Sequence, residues 1–311
     1  SVIGFGGPRV VEVVTGELPP PTSHRAEAAW RDGNLDAIVP EDEQQHWLEQ
    51  AIGVRAAPAA ARTDASPPTT FGATDEWDAL LAVREPAHAS GRDWISWLAD
   101  EWTPFRGAGP AVHAGIARIY GCDVTVVATD RDRMAASPTL PTPADFRLAQ
   151  RAIRFADRVG MPLLTLIDTP GADPSPASET EGLAREISHT LLAMSELRSP
   201  STALVVGEGG SGGAMSLAHV DTLLMLPSSV FAVIGPEAGA AVLYRDRGRA
   251  PELARGMRIR AQDLADLGVV SGIVPPDIAS VRAALRTAFA VERIGDRVRR
   301  PALAGSTIPF V

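Results

Sequence analysis

Through most of this chain, short runs that are apolar at every position alternate with longer stretches whose apolar residues return every three or four positions. The short runs predict strands at Ala111 to Ile119, Asp123 to Ala128, Leu163 to Ile167, Ser201 to Val206, Thr222 to Leu226 and Ser229 to Ile234. The periodic stretches predict helices at Pro143 to Val159, Glu179 to Leu197, Gly212 to Ala218, Pro236 to Tyr244 and Ala261 to Leu267. A strand that is apolar on both faces has to be covered on both. The pattern therefore describes a sheet between layers of helices, an α/β domain spanning residues 75–311. Trp77, Leu80, Leu81 and Val83 open that domain, followed by Trp94, Ile95, Trp97 and Leu98 at helical spacing.

The first 54 residues read differently. A strand-like apolar start leads through the turn Gly6-Gly7-Pro8 to Val10-Val11-Glu12-Val13-Val14, and a helical stretch follows around Glu43 to Ile52. So short a segment cannot bury a core of its own. Residues 55–74 form an Ala, Pro and Thr tract with no apolar period, including Ser66-Pro67-Pro68-Thr69-Thr70, which reads as a linker.

Composition narrows the function. At 311 residues and 45% apolar content the chain can fill a sizeable core, and no apolar run approaches the roughly 20 residues of a membrane span. A net charge of -9 argues against nucleic-acid binding, which is built from clustered cations. The arginines alternate with acids, as in Asp130-Arg131-Asp132-Arg133 and Arg245-Asp246-Arg247, and this predicts solvated faces. A single cysteine, Cys122, excludes an internal disulfide and a multi-thiolate zinc site. It reads as a small buried residue beside a strand. His24, His46, His88, His113, His189 and His219 never pair at metal spacing, so no metal is expected, and His113 reads as a satisfied core or strand-edge histidine. The opening residues lack the basic and apolar regions of a signal peptide, which makes the cytoplasm the expected compartment.

Two loops carry the candidate chemistry. Between the strand ending at Val206 and the helix expected from Gly212, five glycines fall within Gly207-Glu208-Gly209-Gly210-Ser211-Gly212-Gly213. Glycine lets the backbone turn sharply and lets a ligand approach its amides. The first N–H groups of the helix lack intrahelical partners and lie at the positive end of its dipole. An oxyanion hole is the functional reading; glycines serving only close helix-to-sheet packing are the alternative. The second loop, Asp168-Thr169-Pro170-Gly171-Ala172, ends a strand, where α/β proteins bind ligands, and offers free amides at Gly171 and Ala172. Asp168 reads as a turn or cap residue bonding local backbone, and Glu237, just after Pro236, as a carboxylate complementing a helix dipole.

These motifs bring a family into view. From Phe146 to Pro275 the chain resembles the α subunit of bacterial acetyl-CoA carboxylase carboxyltransferase. Met161-Pro162-Leu163-Leu164-Thr165-Leu166-Ile167-Asp168-Thr169-Pro170-Gly171-Ala172, the run Gly207 to Ala214, and Gly235-Pro236-Glu237-Ala238-Gly239 stand in matching order. Glu85-Pro86 with Asp93-Trp94-Ile95, and Ala114-Gly115-Ile116-Ala117-Arg118, extend the resemblance upstream. Ile3-Gly4-Phe5-Gly6-Gly7-Pro8-Arg9-Val10 and Gly33-Asn34-Leu35-Asp36-Ala37-Ile38-Val39 resemble the end of the β subunit of the same enzyme. The resemblance implies a fused β-then-α chain. Residues 1–54 are then the remnant of a β-type, CoA-binding domain and residues 75–311 an α-type, biotin-binding domain. The β family's zinc ribbon, its own glycine loop and most of its CoA surface would precede Ser1.

The resemblance also implies a crotonase-like fold, a spiral of ββα units with a partial second unit at the N-terminus. The implied chemistry is carboxyl transfer: carboxybiotin loses carbon dioxide, the biotin anion takes a proton from an acyl-CoA, and the enolate attacks the carbon dioxide to give malonyl-CoA or a homologue. Carried over residue by residue, the amides of Gly212, Gly213 and Ala214 stabilise the biotin ureido oxygen, and Gly171, Ala172, Gly209, Gly210 and Ser211 bind substrate. The implied cofactor is biotin on a separate carrier protein. The implied partners are acyl-CoA, the biotin carboxyl carrier protein, biotin carboxylase and a β-type domain in a homo- or hetero-oligomer, with neither nucleic acid nor membrane. Two departures stand out: Ala128 to Arg133 is shorter and more acidic than the family's loop, and Asp173 replaces an aromatic common there. The alternatives are a malonyl-thioester decarboxylase or CoA hydratase/isomerase of the same superfamily, the hydratase needing paired carboxylates for which Asp168 and Glu181 are candidates, and a non-catalytic subunit or scaffold.

Overall fold

In the computed structural model, which describes residues 8–20, 22–23, 25–51, 75–131 and 139–290, the valine run behind Pro8 is helical: α1 covers Pro8–Thr15. Proline suits the first position of a helix because its N–H is not needed there. The strand-like start, His24, the 55–74 linker and Asp132-Arg133 lie outside the described residues. Helix α2 spans Ala26–Arg31 and α3 Gln44–Ala51, the latter where the helical stretch is expected. The segment between them is fastened to the rest of the chain. Asp36 accepts the Arg106 N–H at 2.7 Å and pairs with Arg151, and the Arg106 guanidinium lies 4.1 Å from the centre of the Trp30 ring.

Helix α4, Glu76–Arg84, starts at Asp75, whose carboxylate accepts the Asp78 N–H, and α5, Gly91–Leu98, starts in a reciprocal Ser90 and Asp93 cap. Strand β1, Glu101–Phe105, is an addition to the sequence reading: Pro104 and alternating polar residues hide it, as they do in many edge strands. Strands β2, Val112–Ile119, and β3, Cys122–Thr129, form a hairpin whose two-residue turn, Tyr120-Gly121, has both φ angles positive. Cys122 thus opens a strand, and His113 on β2 sits 3.2 Å from the Asp130 carboxylate. Helix α6, Pro143–Val159, has the bounds its pattern predicts, a cap of Thr142 and Asp145 at one end and Gly160 in the left-handed region at the other.

Strand β4 covers Leu163–Thr169. One helix is expected over Glu179 to Leu197, but two are found, α7 at Pro176–Thr180 and α8 at Leu183–Glu196, because Gly182 adopts φ +84° between them. Strand β5, Ser201–Gly210, runs four residues past its predicted end and is buried at all ten positions. There follow α9, Ser211–Leu217; β6, Thr222–Met225; β7, Val230–Ala232; α10, Pro236–Leu243; α11, Ala250–Gly256; α12, Ala261–Asp266; β8, Gly272–Ile273; and α13, Ile278–Phe289.

The sheet is mixed. Its order is β1-β2-β3-β4-β5-β6-β8, antiparallel through β3 and parallel from there on, with β7 paired to the far end of β5. Both faces are covered, as predicted. Leu163, Ile167 and Val205 pack against α6, while Leu164, Leu166 and Leu204 pack against α5 and α13, each such buried side chain contributing about 2 kcal/mol. The split partnership of β5 matters most for function. Its first half pairs with β6 and its last three residues with β7, so the polyglycine end leaves the main sheet and turns into α9.

Candidate functional site

Strands β4 and β5 stay in step from Leu163 opposite Ser201 to Ile167 opposite Val205, and then lose register. Thr169 faces Gly209, so β5 advances four residues while β4 advances two. Asp168, fully buried, repairs the break: its Oδ1 accepts the Glu208 N–H at 3.1 Å, and its own N–H donates to Thr129 Oγ1 at 2.7 Å. Asp168 is therefore a brace across three strands, not the local turn residue that the sequence suggests. A Cβ on Gly207 would stand 2.2 Å from that carboxylate oxygen, which ties one glycine of the motif to the aspartate of the other loop.

The two loops then pack on each other through backbone. A Cβ on Gly210 would lie 2.1 Å from the Pro170 carbonyl oxygen, and one on Gly213 would lie 3.2 Å from the Ala172 nitrogen. Ser211 carries the chain from strand to helix at φ +56°, a region that non-glycine residues occupy at some cost. Of the three amides expected to face a ligand, those of Gly212 and Gly213 belong to the first helical turn, which offers no carbonyl partners. The N–H of Ala214, four residues past the N-cap Gly210, is the first that meets a carbonyl within the helix. Gly212 is half-buried; Gly213 and Ala214 are buried.

A cleft of about 630 Å³ opens at this junction. Pro170, Gly171, Ala172 and Ser211 form one wall; Gly209 and Gly210 are buried in the strand behind it. The facing wall is ionic. Arg84, at the end of α4, donates from Nε (2.8 Å) and Nη2 (2.6 Å) to Glu208 and pairs through Nη1 with Glu237. Arg131 donates from Nη2 to Glu208 at 2.9 Å, and Arg247 completes the lining. Burial pulls the Arg84 guanidinium down, but the hydrogen bonds and charges of the two glutamates outweigh it and hold the group above its ordinary range. Burial pushes the Glu237 carboxyl up, yet Arg84 and Arg247 hold it below the usual carboxylate value.

Sequence reasoning did not assemble this wall. Arg131 and Asp130, expected on a solvated face, are buried and half-buried, whereas Arg245-Asp246-Arg247 is exposed as predicted. Glu237 does head a helix, but its carboxylate also closes the network. The candidate pair Asp168 and Glu181 does not come together at the cleft: Asp168 is sealed in the sheet and Glu181 is exposed beside Arg147. Of the two carboxylates bound to Arg84, Glu237 lines the cleft and Glu208 is buried behind the arginines. Among the described residues no group of three or more His, Cys, Asp or Glu is placed to hold a metal, and no helix is long and apolar enough to cross a membrane.

The acetyl-coenzyme A carboxylase carboxyltransferase subunits beta/alpha of Salinispora tropica are 37% identical over 295 residues, a match covering 88% of this chain and 52% of the relative. The chain thus spans about half the length of the curated relatives it matches. Among solved structures, transcarboxylase 12S with methylmalonyl-coenzyme A and methylmalonic acid superposes with a TM-score of 0.74 at 21% identity, over 94% of this chain and 60% of that one. A Pseudomonas malonate decarboxylase hetero-tetramer in complex with coenzyme A gives a TM-score of 0.59 at 20% identity, over 68% of this chain and 92% of that one. At those identities the likeness establishes the fold, which is the crotonase-like α/β fold with a mixed sheet. Residues 44–300 match the acetyl co-enzyme A carboxylase carboxyltransferase-like family, and at that breadth the chain belongs to it.

Proposed function

We propose that this chain supplies the carboxybiotin-holding part of a biotin-dependent acyl-CoA carboxyltransferase. One observation carries the reading: a cleft lined by Gly171, Ala172 and Ser211 opens where two glycine-bearing loops meet backbone to backbone at the start of α9. Its volume suits a small ring system, and a Cβ at Gly210 or Gly213 would intrude on the loop contact behind it. The residues present therefore fit a ureido ring. Bound carboxybiotin would supply the carboxyl group and leave negative charge on the ureido oxygen.

The chain's part is to receive that charge. Backbone N–H groups fixed in advance stabilise a developing oxyanion without reorganising, each worth about 3 kcal/mol in comparable sites. Gly212 and Gly213 offer such donors from just behind the lining formed by Gly171, Ala172 and Ser211; Gly213 meets Gly171 and Ala172 across the loop contact, and the Gly171 N–H itself donates to Thr169 Oγ1 at 3.3 Å. Ala214 anchors the helix beneath them, Gly210 lets the strand pass close to Pro170, and Gly209 leaves room for the Phe231 ring. The named β/α relatives, of which the chain spans about half, support taking residues 1–54 as the end of a β-type half, 55–74 as a linker and 75–311 as the α-type half. On this reading the acyl-CoA is gripped by a β-type domain in an oligomer, and the carboxyl group arrives on a biotin carboxyl carrier protein charged by biotin carboxylase, in the cytoplasm.

The test is carboxyl exchange from labelled malonyl-CoA to biotin, run with and without a β-type partner. Label transfer requiring both chains and biotin is expected. Release of carbon dioxide without biotin would instead identify a decarboxylase, and no exchange beside an active partner would leave a scaffold.

A further inference from the structure

Strand β5 crosses a gap in its own sheet just before the polyglycine end. Val205 is the last residue in register with both neighbours, opposite Ile167 of β4 and Met225 of β6. Register resumes at Glu208 with β7 and at Gly209 with β4. Val206 and Gly207, between them, stand opposite no residue of β4, β6 or β7. Backbone out of step with its ladder needs other partners for its polar groups, and a glycine there adds freedom to swing. Yet this stretch sets the direction in which the chain enters α9.

Side chains bridge the gap. Asp168 takes the Glu208 N–H, and Arg84 holds the Glu208 carboxylate. The remaining grip is on the Val206 carbonyl, which lies 2.9 Å from His88 Nε2. A carbonyl oxygen only accepts, so the ring must carry a hydrogen on Nε2. His88 is half-buried, and its own N–H closes a turn after α4 by donating to the Glu85 carbonyl at 3.0 Å. Arg84 and His88 thus leave the end of α4 together and grip β5 on either side of Gly207, one at Glu208 and the other at Val206. His88 does not line the cleft, so its action has to pass through the strand.

We infer that His88 is a positioning residue: its Nε2–H pins the Val206 carbonyl and thereby aims the amides of Gly212 and Gly213. The inference rests on those amides being the oxyanion donors proposed above. A displacement of about 1 Å in an aligned site costs up to about a hundredfold in rate. An interaction made only in the transition state is lost from kcat while KM stays in place.

The test compares His88→Gln, whose side-chain amide nitrogen reaches the place of Nε2, with the shorter His88→Asn, which falls short of the carbonyl. In carboxyl exchange by the full chain with a β-type partner, His88→Asn should lower kcat about tenfold to a hundredfold while KM for biotin stays within about twofold, and His88→Gln should restore most of the rate. Glutamine cannot relay a proton, so that rescue also separates positioning from acid–base catalysis. Hydrogen exchange should give the same order without catalysis: the amides from Gly207 to Gly213 should open faster in His88→Asn and near the unsubstituted rate in His88→Gln, with the β2–β3 hairpin unchanged in both. Glutamine no better than asparagine overturns the inference, and so does unaltered exchange across Gly207 to Gly213 in His88→Asn. In the unsubstituted chain the ¹⁵N spectrum of the His88 ring should show a hydrogen on Nε2; a ring protonated on Nδ1 alone overturns the inference even if neither variant folds. Absence of carboxyl exchange by the unsubstituted chain beside an active partner would sink the proposed function, and hydrogen exchange would then judge the hold of His88 on β5 by itself.

Discussion

The two walls of the cleft are built by opposite means. The glycine wall consists of backbone from two adjacent strand ends, with side chains deleted wherever a Cβ would strike the other loop: Gly207 against Asp168, Gly210 against Pro170, Gly213 against Ala172. The ionic wall consists of side chains drawn from α4, the end of β3, the end of β5 and the start of α10, joined across sequence separations of 77 to 153 residues. A backbone site needs particular residues at consecutive positions and therefore leaves a local signature. A network of long side chains leaves none, because each arginine or glutamate taken alone looks like any surface charge. The walls should also fail differently: the first by steric displacement, the second by uncompensated charge.

The glycine wall should show the largest effect. In Gly210→Ala the new methyl meets a carbonyl oxygen at 2.1 Å, and backbone cannot swing aside as a flexible side chain can. The two loops must part, at a cost of about 3 kcal/mol or more. Chemical denaturation should report that loss, together with loss of exchange activity. Gly213→Ala, at 3.2 Å from Ala172, asks for a shift of only a few tenths of an ångström and should lower activity while leaving stability nearly intact.

That contrast also bounds what could be read from the sequence. The apolar runs gave β2 to β6 and the capped α6 because those elements are specified by local pattern and local hydrogen bonds. Strand β1 escaped because this edge strand carries Pro104 and sets the polar Glu101 and Thr103 among its apolar residues, and the break at Gly182 escaped because a glycine on a helical face does not disturb the period around it. Asp168 was placed on the right loop but given too local a partner: the lost register between β4 and β5, which makes its carboxylate necessary, is a property of two strands together. Arg84 and Arg131 could be found only after folding had gathered them around Glu208.

The ionic wall should break next. Arg84→Met leaves Glu237 without its main partner and Glu208, 4% exposed, with Arg131 alone. Removing one member of a fully buried pair costs about 3 to 5 kcal/mol, but Arg84 is 24% exposed and water can reach part of the gap, so about 2 kcal/mol is expected. A double-mutant cycle with Glu237→Gln separates the contributions. If the effects of the two substitutions are coupled, the second should cost less once the first is made; additive effects would show that the wall is a set of independent pairs.

The smallest effect is the dependence of that wall on acid. The Glu237 carboxyl is pushed up by burial but held, on balance, below its ordinary value of 4.5 by the Arg84 hydrogen bond and the Arg84 and Arg247 charges. A carboxyl depressed in the folded state stabilises the fold above the unfolded value, because the unfolded chain binds the proton first. That contribution is fully present near neutral pH and is lost as pH falls below about 4.5 and through the folded value. Asp130, Asp173 and Glu186 are also depressed and add slopes of their own, so the informative quantity is the difference between the protein and Glu237→Gln. Denaturation curves at neutral pH and at successively lower pH should show the variant losing less stability on acidification, with the two proteins converging at the acid end. Parallel curves would mean that the Glu237 carboxyl binds a proton equally well in the folded and unfolded chain, so that neither Arg84 nor the helix start favours its charged form.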